Sequence, residues 1–148
     1  MFTEEITACL EQKEILLTRI LDLTKRIEVR CQEPEVDLGH FLDQRAALME
    51  RVNKCNRLVD SRLEQMEPQE RERCAAVMEL RIPKAGCADE TEQEAFSICT
   101  RILSLFEQAA AIDRSARESL RLQSEEAKQK LSELRTPKKQ PELFSSDR

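Results

Sequence analysis

Six cysteines, one histidine and 29 acidic side chains are the groups in this chain whose types could support chemistry. The cysteines are Cys9, Cys31, Cys55, Cys74, Cys87 and Cys99, and neighbours in this series lie 12 to 24 positions apart. Structural zinc sites show at least one closely spaced ligand pair, and no Cys-x-x-Cys occurs here. His40, the lone histidine, stands apart from all of them. Disulfide frameworks belong to small secreted chains, a class this sequence does not fit. The thiols therefore read as reduced, small apolar groups inside helices. No metal and no cofactor are expected.

Catalysis usually requires a pocket, a nucleophile with its base, or a metal. His40 falls near the start of a helix and reads as a surface or packing residue. The 29 acidic residues are interspersed with 24 basic ones, the pattern of solvated helix faces. Two glycines cannot build a phosphate-cradling loop. A diiron bundle repeats Glu-x-x-His on facing helices, and one histidine rules out its usual form. The residues point to a protein that binds and does not catalyse.

The elements that would carry such binding are helices. Charged residues make up 36% of the 148, against about 25% in an average globular protein. Apolar residues are still too many and too regular for a disordered chain. The abundance of Glu, Leu, Arg, Gln and Ala favours helix, and the poverty in aromatics disfavours strands. The net charge of −5 disfavours a nucleic-acid partner, which needs a basic face. No run approaches the roughly 20 apolar residues of a membrane span, and the acidic start lacks the order of a signal peptide. These features predict a cytoplasmic protein with no membrane insertion.

The expected fold is all-α: an antiparallel helix bundle or coiled coil of about three long helices plus one short helix, with residues 1–135 as one domain. Helix 1 is predicted from Thr3, its cap, to Cys31, with Leu16, Ile20, Leu23 and Ile27 inward. Helix 2 is predicted from the cap Asp37 to Met66. Arg45 and Arg62 occupy its apolar stripe and are expected to pack their stems while the guanidinium groups reach solvent. The short link between them makes an αα-hairpin. A third, short helix runs from Gln69 to Leu80, with Pro68 suited to its first turn. After the loop 82–88, Asp89 or Thr91 caps a last helix that continues to Arg135, about 70 Å long.

The apolar face of that last helix is broad to about Ala116 and then narrows to Leu120, Ala127, Leu131 and Leu134. The first half is expected in the core, and the second half is expected to project or to dock on a partner. Arg117, Arg121, Lys128 and Lys130 flank the narrow stripe, where they can pair with partner carboxylates. Residues 136–148 read as a flexible tail in which Leu143 and Phe144 form a small apolar island. The candidate partner-binding residues are thus Leu120, Ala127, Leu131, Leu134, Leu143 and Phe144. A cut after Arg117 is expected to leave a folded bundle.

Two segments resemble a known family. Leu10-Glu11-Gln12-Lys13-Glu14-Ile15-Leu16-Leu17 looks like the first helix of FlgN-type flagellar type III export chaperones. Asp37-Leu38 with Phe41-Leu42-Asp43-Gln44-Arg45-Ala46-Ala47-Leu48 looks like their second. The end, Leu143-Phe144 before Asp147-Arg148, is similar to the apolar-then-charged end of many members. The likeness extends to the architecture of most of the chain, although the cysteines are foreign to it. It implies a chaperone that binds C-terminal amphipathic helices of hook-filament junction or cap subunits, keeps them from assembling early, and delivers them for export. FliT-type chaperones are related. The resemblance also implies contacts with export-gate or ATPase components. The competing expectation is a structural or scaffolding subunit that self-associates, for instance as a homodimer.

Overall fold

The computed structural model describes residues 2–34 and 36–135, and within them the chain is all-helical. Helix α1 spans Glu4–Arg30, α2 Gly39–Glu64, α3 Pro68–Met78 and α4 Glu90–Arg135, with a 3-10 turn at Lys84–Gly86 before α4. Thr3 caps α1 by accepting a hydrogen bond from the Ile6 amide at 3.2 Å. Asp37 is not the cap of α2: the capping position is Leu38, while the Asp37 carboxylate, one residue before it, accepts from the Gly39 amide. Asp89, not Thr91, caps α4, accepting from the Glu92 amide at 2.8 Å.

Ion pairs and stacked side chains fix the helix directions. Glu5 pairs with Arg62 at one end of the α1–α2 hairpin, and Arg30 stacks on Phe41 at the other, so α1 and α2 are antiparallel. Arg101 pairs with Glu14, and Gln123 donates to the Cys31 carbonyl, so α4 runs parallel to α1. Helix α1 packs along both α2 and α4, whose backbones do not approach each other. Helix α3 and the turn after it carry the chain from the end of α2 to the start of α4. Arg71 of α3 donates to the Leu63 and Met66 carbonyls, satisfying groups that the last turn of α2 leaves open. At the end of α3, Leu80 adopts the left-handed conformation (φ 60°), where glycine is usual. Its amide bonds Val77 and the Arg81 amide bonds Ala76, closing the helix, while the Leu80 side chain packs on the core.

Apolar burial is concentrated at the α3 end. Ile6, Leu16, Val52, Val77 and Ile98 are all but fully buried in one cluster fed by all four helices. A second, smaller cluster holds Ile27, Cys31 and Ala116, with Leu38, Phe41 and Leu120 against it. Between them lies a polar layer. Arg45 of α2 donates through Nη1 to Thr24 of α1 (3.3 Å) and to Asp113 of α4 (3.2 Å). Thr24 in turn donates to the Ile20 carbonyl at 2.7 Å, and Arg117 donates to the second Asp113 oxygen at 2.9 Å. The Arg45 guanidinium therefore turns inward instead of reaching solvent, because a carboxylate waits there across the bundle.

Two further expectations change. The α4 face is buried only as far as Ile102 and again at Ala116, leaving Leu103 47% and Phe106 40% exposed. The cause is the separation of α2 from α4, which leaves that face with one neighbour instead of two. The second change concerns apolar length: α4 does carry a stretch long and apolar enough to cross a membrane, 22% of it buried in the bundle. Arg101 and Glu107 are the only charges between Glu94 and Asp113, and alanine, serine and threonine fill positions that a count of large apolar residues passes over.

The polar layer makes a quantitative prediction. Asp113→Ala leaves the Arg45 cation among three helices without its carboxylate and should cost about 1–3 kcal/mol in urea unfolding. Arg45→Met with Asp113→Leu should recover most of that loss. A double variant as unstable as the single one would contradict this account of the layer.

Candidate functional site

The seam that α4 presents to α1 is built at three- and four-residue steps: Ala116, Leu120, Gln123, Ala127, Leu131 and Leu134. Ala116 is buried and Leu120 half-buried against the α1 end. Gln123 ties the seam to the Cys31 carbonyl. Helix α1 stops there, and α4 does not. Residues 124–135 continue for about 18 Å, every one of them exposed. Leu131 is 52% and Leu134 77% exposed on this continuation, with Ala127 on the same stripe.

The structure thus divides the sequence-derived candidates. Leu120, half-buried, packs against the small cluster at the end of α1. Ala127, Leu131 and Leu134 lie together on the stretch beyond α1. Leu143 and Phe144 lie outside the described residues. Of the flanking cations, Arg117 is held by Asp113 and Arg121 by Glu118, with Glu125 at 4.0 Å. Lys128 and Lys130 make no ion pair among the described residues.

Two grooves went unnoticed in the sequence. One, of about 480 Å³, opens between α2 and α4, floored by Leu10 and Lys13 of α1 and walled by Val59, Ile102, Leu103 and Phe106. The Lys13 ammonium lies 5.9 Å from the centre of the Phe106 ring, and burial lowers its pKa. The groove exists because α2 and α4 stay apart; its only sequence signal is that Leu103 and Phe106 sit beside the main stripe of α4. The other, of about 680 Å³, is a shallow trough between α1 and α2 over Leu21, Leu23 and Leu48, rimmed by Arg19, Arg26 and Arg51. The larger groove is not the stronger candidate, since both of its walls belong to the continuous α1–α2 hairpin. Neither groove reaches the seam beyond Gln123.

Charge is buried in one other place. Glu92 is nearly inaccessible and accepts from Arg73 Nη2 at 2.9 Å and from the Ala88 amide at 2.8 Å. The Arg73 hydrogen bond holds its carboxyl below the usual range, outweighing burial. With Asp89 bonding the Glu92 amide, this forms a reciprocal cap on α4, and its carboxylate is fully occupied by that structural task.

The cysteines are all free thiols, five buried and Cys9 half-buried. Burial raises the Cys9, Cys31 and Cys74 thiols and pushes Cys99 up to about 11. Cys55 lies near enough to Cys9 to add to the rise that burial gives the Cys9 thiol. Among the described residues, no group of three or more His, Cys, Asp or Glu is placed to hold a metal ion. His40 is exposed at the start of α2, its ring 6.0 Å from that of Phe41.

Comparison with protein-family models, curated proteins and solved structures returns no match to this chain. The site is therefore read from its own geometry.

For the thiols, that geometry predicts a clear order. A thiol reagent at neutral pH should modify Cys9 first, with the other five reacting only as the protein unfolds. Mass spectrometry of partially labelled protein checks this. Rapid joint oxidation of Cys9 and Cys55 to a disulfide would instead reveal a redox pair.

Proposed function

We propose that this chain is a partner-binding helical bundle that holds an amphipathic helix of another protein against the part of α4 beyond α1, without catalysis. One observation carries the reading: the α1-facing seam of α4 continues with Ala127, Leu131 and Leu134 after α1 has ended. A helix that lays its apolar stripe on that continuation takes the place α1 holds further back. In its finer form the proposal follows the resemblance of helices 1 and 2. The chain is a cytoplasmic FlgN-type or FliT-type export chaperone. Its client is the C-terminal helical part of a hook-filament junction or cap subunit, kept from early assembly and passed to the export apparatus.

The structure moves the informative truncation. A chain cut after Arg117 loses Leu120 and Gln123, which fasten α4 to the end of α1. A chain ending at Ser124 keeps both. It should melt within a few degrees of the full chain, since every described residue it removes is exposed. It should also lose measurable binding to the C-terminal helical segment of a hook-junction or cap subunit in calorimetry. A truncated chain that binds the segment as tightly as the full chain would overturn the assignment of the site.

A further inference from the structure

The charges beside the open seam bear on what can cover it. Arg121, Lys128 and Arg135 fall at seven-residue steps and line one flank of Ala127, Leu131 and Leu134. Arg117 heads the same row, one turn before Arg121, but is engaged with Asp113. The opposite flank is mixed: Lys130 lies nearest the seam, and Glu126 and Glu133 stand about as far from it as Lys128 and Arg121 do. Arg121 touches Glu118 and Glu125, both exposed pairs within one helix of the kind that contributes little and yields readily to a better partner. Lys128 and Arg135 have no ion pair among the described residues.

This arrangement disfavours an antiparallel second copy of the chain as the occupant. In an antiparallel pair of α4 ends, each flank meets its own counterpart, so the Arg121–Lys128–Arg135 row faces itself. In a parallel pair that row faces the mixed flank of Lys130, Glu126 and Glu133. The antiparallel register thus sets like charges across the seam, and like charges across a helix pair select against it.

Resting on the binding role proposed above, we infer that the seam selects a heterologous amphipathic helix whose apolar stripe is bordered by Asp or Glu. The apolar residues supply the contact area. The cationic row supplies the choice of partner and its orientation, because complementary rim charges act mainly on specificity and encounter rate. The chain's overall acidity hides this strip, which is basic only along one edge of one helix.

Two designed helical peptides of about three heptads test the inference. They share one Leu/Ala stripe and differ only in flanks of Glu or of Lys. The full-length chain should bind the Glu-flanked peptide about tenfold more tightly at low salt, with the gap shrinking at roughly 0.5 M salt as the charges are screened. The triple variant Arg121→Glu, Lys128→Glu, Arg135→Glu alters only exposed side chains and should reverse the preference. Equal affinity for both peptides, lost in the chain ending at Ser124, would overturn the charge selection while leaving the seam as the binding site. Failure of both peptides to bind would overturn both readings. Sedimentation showing a dimer that the Ser124 truncation dissolves would overturn the inference by naming a second copy as the occupant.

Discussion

Thr24, Arg45 and Asp113 meet where the three long helices are held in register, and the rest of the bundle is arranged around that meeting. One guanidinium bonds a hydroxyl on α1 and a carboxylate on α4. A charged contact of this kind has a narrow geometric tolerance. Sliding any helix by one turn would strand Arg45 or Asp113, about a quarter exposed, without its partner. Leucine seams alone tolerate such slips, since one apolar layer resembles the next. The layer thus contributes register more than strength, as isolated polar residues do in coiled coils.

The position of that layer has consequences at both ends. Towards α3, the large cluster anchors all four helices, and α2 and α4 part enough to leave the groove over Lys13. Towards the hairpin turn, only Ile27, Cys31 and Ala116 are buried, with Leu120 and Gln123 making the last ties. Once α1 and α4 are locked parallel with Glu14 beside Arg101, their unequal lengths decide where α1 runs out. The open seam is a direct result of a 46-residue helix laid beside one of 27 residues.

Much of this was legible in the residues. The three- and four-residue spacing found every long helix, and Pro34, Pro68 and the 82–88 loop separated them correctly. The narrowing of the α4 stripe located the stretch beyond α1, although it placed the change at Ala116 and the bundle reaches Gln123. That error has a physical origin: glutamine does not read as a packing residue until a carbonyl at the end of α1 is seen beneath it. Arg45 stood out as a charged residue on the apolar stripe of helix 2, whereas Asp113 did not stand out from its helix. Their pairing could not be read, because spacing along one helix says nothing about which level of another lies opposite. The grooves were hidden for the same reason, since they depend on how far apart α2 and α4 stand.

Amide hydrogen exchange along α4 in the free protein tests the central claim most directly. A helical segment whose side chains are exposed opens locally at little cost, whereas amides beneath the core exchange only on larger unfolding. Protection should be high from Ala95 through Ala116, persist near Gln123, and fall at least about a hundredfold over residues 124–135. Protection at Leu131 equal to that at Ile102 would contradict the account, because the seam beyond α1 would then already be covered.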